Sequence, residues 1–346
     1  MPPFFEGWYY KLVDARQQHS LAIMPGIVLA EDASESHAFV QFFSAPGKSV
    51  AYRRYAIDQF WSARRRFEIV IGPNHFAPDR ISLNVETPEH SLRGDLRFRD
   101  LTPWPVTLAS PGIMGWYAWV PFMECYQGVV SLDHGIDGGV QLDQQRIGFD
   151  GGRGYTEKSW GKSFPEAWIW FQTNHFEQPG ISLSASIAVI PWLRSPFAGF
   201  IVGLWHAGHL YRFATYTGAR VERLEVNDAD VRWVVRDRRY RLEMLVTRAS
   251  GRTLRSPVMS GMAGRVIETL DATVAVGLDD MRPEMPVALF RGVGRHAGLD
   301  VGGDTPRFIE LLAGRAAVVA AHDEQPSLAA IALQRNGFMT HSPPEA

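Results

Sequence analysis

The chain is poor in the features that announce most functions. It has 346 residues and a single cysteine, Cys125. An intramolecular disulfide is therefore excluded, and a chain of this size without a disulfide framework fits a reducing compartment. Charge of one sign is also lacking: 35 basic and 37 acidic residues leave a formal net charge of -2. No basic surplus points to nucleic acid, and no acidic tail is present. No apolar run reaches the roughly 18 residues of a membrane-spanning helix. The N-terminal MPPFFEGWYYK lacks the basic and apolar regions of a signal peptide. These absences predict a cytoplasmic protein, monomeric by default, that meets any lipid at the membrane surface or in solution. Metal ligation finds no support. His206 and His209 would fall on opposite faces of a strand, Gly208 between them signals a turn, and no cysteine pair exists. There is no Gly-x-Ser-x-Gly elbow. The glycines of Gly135–Gly154 lack the Lys-Ser/Thr and the helix of a phosphate loop.

What is present is aromatic and β-like. Hydrophobic residues make up 46% and aromatics 12% of the chain, with 11 Trp and 20 Phe. The aromatics suit a β-rich core and equally an aromatic-lined cavity. Period-2 runs bounded by Gly, Pro, Asn and Asp predict strands at Phe4–Val13, Leu21–Val28, His37–Phe43, Phe67–Ile71, Ile81–Val85, Glu124–Leu132, Trp168–Phe176, Ser182–Ile190, Leu210–Tyr216, Val231–Val235, Arg239–Val246 and Val266–Val276. About twenty strands with frequent turn signals define an all-β protein of antiparallel barrels or sandwiches. Helix is expected only at Pro306–Leu312 and Ser327–Arg335, and HSPPEA reads as a frayed tail. Asp100–Gly115, with three prolines, reads as a long connection. Asp137-Gly138-Gly139 and Asp150-Gly151-Gly152 signal tight hairpins. The boundary between two β domains is placed there, giving 1–145 and 146–346. Glu6-Gly7-Trp8-Tyr9 and Glu157-Lys158-Ser159-Trp160 hint at a repeat on two short matches.

Chemistry concentrates in Gly154–Phe176. On a strand, Tyr155, Glu157 and Ser159 share one face, and Thr156, Lys158 and Trp160 the other. The following strand presents Trp168, Trp170, Gln172 and Asn174 on one face. Buried amides need partners, and an aromatic wall with a few polar groups is the composition of a ligand pocket.

Phe5-Glu6-Gly7-Trp8-Tyr9, Tyr155-Thr156-Glu157-Lys158-Ser159-Trp160-Gly161 and Phe164-Pro165 with Trp168-x-Trp170-x-Gln172-x-Asn174-x-Phe176 together resemble the tocopherol cyclase family. Weaker matches follow at Leu254-Arg255-Ser256-Pro257 and Val301-Gly302-Gly303. The resemblance spans almost the whole chain up to Gly303. It implies two lipocalin-like antiparallel β-barrel or sandwich domains side by side, related to carotenoid 1,2-hydratases and some fungal Diels–Alder cyclases. It also implies a reaction: protonation of the alkene of a prenylated hydroquinone and closure of a chroman ring by the phenol, with no redox cofactor or metal. The ligand is then an apolar prenylated or polyene small molecule. The related hydratases carry Asp, His and Asn where this chain has Glu157, Lys158 and Ser159.

Protonating an alkene needs an acid kept from water, and a carboxyl against an apolar wall stays protonated near neutral pH. Glu157 is the candidate, with Lys158 beside it in the motif. The structural alternative is an ion pair of Glu157 with Lys158 or Lys162. Trp160, Trp168 and Trp170 are candidates to stabilise the cation through their ring faces. Gln172 or Asn174 could orient the phenol. Glu6, Trp8, Tyr155 and Glu124 complete the candidate set, and Glu124, His134 or His175 could take the phenol proton. A polyene hydratase, a secondary-metabolite cyclase and a non-catalytic carrier of a hydrophobic ligand are the competing readings.

Overall fold

The computed structural model describes residues 3–46, 49–192, 195–282 and 284–313. It is all-β, with two large antiparallel sheets. The first holds β1 (Phe4–Val13), β2 (Ser20–Leu29), β3 (His37–Ala45), β4 (Val50–Tyr55), β5 (Phe60–Ser62), β6 (Ile69–Ile71), β7 (Asn74–Phe76), β8 (Arg80–Glu86), β9 (Ser91–Arg99), β10 (Cys125–Leu142), β11 (Gln145–Gly148) and β12 (Gly152–Gly161). The second holds β13 (Trp168–Thr173), β14 (Ser182–Ile190), β15 (Phe197–His206), β16 (His209–Ala214), β17 (Arg220–Val226), β18 (Asp230–Arg236), β19 (Tyr240–Thr247), β20 (Arg252–Val258), β21 (Gly261–Asp280) and β22 (Val287–Gly302). Helix α1 (Thr305–Ala313) follows, where a helix is expected. The expected Ser327–Arg335 helix and the tail lie outside the described residues.

The strand orders correspond. The first sheet runs β4-β3-β2-β1-β12-β10-β9-β8-β7-β6-β5, and the second β16-β15-β14-β13-β22-β21-β19-β18-β17. In each, the opening strand pairs with the closing one. Tyr9 of β1 stands opposite Glu157 of β12, and Trp170 of β13 opposite Asp300 of β22. The duplication is thus real in topology, but the two motifs that hinted at it are not its equivalent parts. Glu6–Tyr9 and Glu157–Trp160 are cross-strand neighbours, with Trp8 against Lys158 and Glu6 against Trp160.

The change of sheet falls at 162–167, later than the 145/146 boundary. The glycines around Asp150 do turn the chain, but they return it as β12 between β1 and β10 of the same sheet. Asp137-Gly138-Gly139 is not a hairpin; it runs inside β10. A Cβ at Gly138 would lie 2.3 Å from the Asp95 carbonyl oxygen, and one at Gly139 2.8 Å from that of Ile147. Close strand approach, not a turn, requires glycine there.

β1 is buried on both faces, which is why it reads as a near-continuous apolar run. Trp8, Tyr10 and Leu12 enter the core of the first sheet, while Phe5, Tyr9 and Lys11 face the other way. Tyr9 packs edge-on against Trp170 of the second sheet, with ring centroids 5.2 Å apart. On the far side of β13, Phe171 packs on Trp233 within the second sheet. The middle strands of both sheets therefore meet face to face.

Candidate active site

A cavity of about 240 Å³ opens where these middle strands meet. Glu157 lines it and is 8% exposed. Three donors converge on one of its oxygens. Tyr155 Oη donates to Oε2 at 2.6 Å, Gln127 Nε2 at 3.0 Å and Trp170 Nε1 at 3.2 Å. All three reach Oε2 and none reaches Oε1. Burial raises the Glu157 pKa to about 7, against the lowering effect of the three donors. Desolvation wins because it acts on the whole charge, whereas each hydrogen bond recovers only part of it. Gln127 is fixed in turn by Ser186, whose Oγ donates to its Oε1 at 3.0 Å.

Two more carboxyls line the same cavity, Glu268 of β21 and Asp300 of β22. They face each other across the ladder as Cα partners. Tyr9 Oη donates to Glu268 Oε1 at 2.5 Å, and Trp168 Nε1 to Asp300 Oδ2 at 2.6 Å. Burial, and then the Asp300 charge, hold the Glu268 pKa well above the usual carboxylate range. Lys11 faces Glu268 from β1 and is fully buried, donating to the backbone carbonyls of His296 at 2.7 Å and Gln172 at 3.2 Å. Burial lowers its pKa to about 7.

Trp168 and Trp170 line the cavity. Their rings sit over glycines of β22: a Cβ at Gly302 would be 2.4 Å from the Trp168 ring, and one at Gly298 2.9 Å from that of Trp170. Tyr155 is buried behind Glu157 and positions it. Trp8 reaches the lining, but stacks on Phe67 in the first core at 5.1 Å.

The other candidates lie elsewhere. Lys158 is on the opposite face of β12 from Glu157. It is ion-paired with Glu6 and sits 5.1 Å from the Trp8 ring and 4.9 Å from that of Trp160. Period-2 alternation separates it from the acid, and neither Lys158, Glu6 nor Trp160 lines the cavity. Glu124 accepts from Ser163 Oγ at 2.7 Å, also away from the lining. Gln172 and Asn174 share the face of Trp170 but lie further along the interface. Asn174 Nδ2 donates to Asp133 Oδ1 at 2.9 Å and to the Gly154 carbonyl at 2.8 Å, bridging the sheets. His134 and His175 are deeply buried, and burial lowers both pKa values, that of His134 to about 3. Neither lines the cavity.

Glu268, Asp300 and Gln127 escape a reading by motif. A signal exists in Val266, Glu268 and Leu270, all buried on one face of a strand. A lone carboxylate among alternating apolar residues marks either an ion pair or a site.

His206 and His209 face each other across the β15–β16 turn. Among the described residues, no group of three or more His, Cys, Asp or Glu could hold a metal ion, and no helix is long and apolar enough to cross a membrane.

The fold and the cavity define a class: paired lipocalin-like antiparallel β sheets enclosing an apolar, carboxyl-bearing pocket. A family model described as tocopherol cyclase-like matches residues 2–89 and 82–303, and the chain belongs to that family. It is 24% identical over 272 residues to a probable chloroplastic tocopherol cyclase of Oryza sativa subsp. japonica, covering 62% of this chain and 57% of the relative. It is 23% identical over 277 residues to the chloroplastic tocopherol cyclase of Zea mays, covering 62% and 56%. The chain thus spans little more than half the length of these relatives. The crystal structure of CghA superposes with a TM-score of 0.55 at 11% identity, covering 88% of this chain and 89% of that one. That likeness is one of fold.

Proposed function

We propose that this protein is a cofactor-independent cyclase that closes a chromanol ring on a prenylated hydroquinone. One observation carries the reading: Glu157, whose pKa is pushed up to about 7 by burial, stands at an apolar cavity walled by Trp168 and Trp170. The Oε1 proton passes to the less substituted alkene carbon, forming a C–H bond as the π bond breaks. The tertiary cation is stabilised by the indole faces. The phenol oxygen then attacks it, a C–O bond forms and the O–H bond breaks. The conjugate base of Glu157 is stabilised by the donors on Oε2, which makes the acid stronger without admitting water.

The test is incubation of the purified protein, with nothing added, with dimethylphytylhydroquinone or a short-chain analogue in detergent. The expected outcome is the chromanol, identified by mass and retention. A tertiary alcohol would indicate a hydratase. Quenching of Trp fluorescence without product would indicate a carrier.

Access for such a ligand comes from the β9–β10 connection. Residues 101–123 contain no charged side chain. Met114, Tyr117 and Met123 line the cavity, while Leu108, Trp116, Trp119 and Phe122 are exposed. An uncharged apolar surface bearing Trp suits the bilayer interface, and the same segment is a cavity wall. Peripheral contact with a membrane is therefore part of the proposal. The protein should float with phosphatidylcholine vesicles, and a Trp119→Ser/Phe122→Ser variant should not. Equal flotation of both, or none of the wild type, would exclude this segment as the contact.

A further inference from the structure

The geometry points to Asp300 and Glu268 as a second functional pair in the cavity: a site that binds a phenolic hydroxyl and accepts its proton. This rests on the ring closure proposed above, because it supplies the proton acceptor that reaction needs. Three observations carry it. First, both carboxyls line the cavity with Glu157 and are buried, at 6% and 5% exposure. Second, they are cross-strand partners. Two carboxyls so placed favour one shared proton over two charges, and the groups around them say where it sits. Asp300 receives the Trp168 indole N–H. Glu268 faces Tyr9, Lys11, Glu157 and Asp300. Within this proposal Asp300 carries the charge, supported by the Trp168 indole N–H, and Glu268, whose pKa is raised by burial and by the Asp300 charge against the opposing effect of Tyr9 and Lys11, carries the proton. Third, Asp300 occupies in the second sheet the station that Glu157 occupies in the first. Each is on the closing strand, opposite an aromatic of the opening strand. The duplicated topology thus sets one acid from each sheet at the same seam.

The division of labour follows from charge. Glu157 begins neutral and gives its proton to the alkene. As the C–O bond forms, the phenolic O–H breaks and its proton goes to the Asp300 carboxylate. The pair then holds two protons and Glu157 is the anion, so the cavity carries one negative charge throughout. The extra proton returns to Glu157 on the side where Tyr9 and Tyr155 hydroxyls donate to Glu268 and Glu157. A second cavity of about 260 Å³ reaches Glu268 from behind, with Ser44, Arg252 and Asp271 in its wall, and offers exchange with water. Asp300 is the residue that touches substrate. Glu268 acts through it, as a positioning and proton-holding residue.

The test compares binding of a short-chain prenylated phenol and its O-methyl ether by quenching of Trp fluorescence, so that it needs no turnover. A hydroxyl donating to a charged carboxylate gives the phenol an advantage of about tenfold or more. Asp300→Asn should bring the two ligands within about twofold. Glu268→Gln should keep the preference, since Asp300 remains charged, but lower steady-state turnover while a single turnover stays fast. A wild type that binds both ligands equally overturns the assignment without any variant. So does a preference that survives Asp300→Asn. Should Asp300→Asn not fold, Trp168→Phe removes the indole N–H while keeping a ring, and the preference should fall several-fold. A preference lost in the variant, with no chromanol from the wild type, leaves this site standing and removes the ring closure. Chromanol formation with the preference intact in Asp300→Asn does the reverse.

Discussion

Glu157→Gln should lower turnover by about two to four orders of magnitude while leaving ligand affinity within about threefold. Gln has nearly the shape of Glu. Its amide oxygen can take the place of Oε2 and accept from Tyr155, Gln127 and Trp170, the three donors now on that atom. What is lost is an acidic proton; an amide N–H cannot protonate an alkene. Single-turnover formation of chromanol and fluorescence quenching by the same ligand would separate the two effects. Turnover at the wild-type rate would remove Glu157 from the chemistry. Loss of binding together with turnover would make it a structural residue.

The pH dependence gives the second large effect. In the reaction proposed above the neutral form of Glu157 is the active one, and burial pushes its pKa up to about 7. Turnover should approach its plateau as pH drops below 7 and fall about tenfold per pH unit above 8, one proton being lost. The same group affects stability with a definite sign. Its folded value lies above its unfolded value near 4.5, so the folded state binds more protons between the two. The stabilisation is complete below pH 4.5 and is lost as pH rises through 7. The difference amounts to about 3 kcal/mol at ~1.4 kcal/mol per tenfold change. It is isolated by subtracting the denaturant stability of Glu157→Gln from that of the wild type at each pH. A difference that stays flat from pH 4.5 to 7.5 would mean that the carboxyl is not held neutral by the fold.

Much of this fold can be read from residue order, for local reasons. β1 and β14 were delimited residue for residue, because an alternating apolar run ending in turn residues specifies both type and length. β10 was cut short at Leu132 and runs to Leu142. Its glycines looked like turns, and only the neighbouring strands show that they are close approaches. The site follows the same division. Glu157, Trp168 and Trp170 were legible because one short stretch carries them. Gln172 and Asn174 are expected on the pocket wall, yet neither lines it: Asn174 bonds Asp133 and Gly154, and the Gln172 amide is buried without a side-chain hydrogen-bond partner. A strand advances about 3.3 Å per residue, so Gln172 lies roughly 13 Å from Trp168, past the end of the cavity. Asp300 and Glu268 are more than 100 positions from Glu157 and join it only when the sheets dock. No motif encodes that docking; it results from the aromatic and polar faces of β1, β12, β13 and β22 meeting.

Every β ladder of the described residues lies within one sheet or the other; none crosses the seam. The cavity walls are therefore joined mainly through side chains, among them the Tyr9–Glu268, Trp170–Glu157 and Asn174–Asp133 bonds, with a backbone bond from Phe164 N to the Pro257 carbonyl where the chain passes between the sheets. Sliding one sheet a little over the other can widen the space without costing a single strand-to-strand hydrogen bond. For the prenylated ligand proposed above, shear at this seam is a route of entry that leaves every ladder intact.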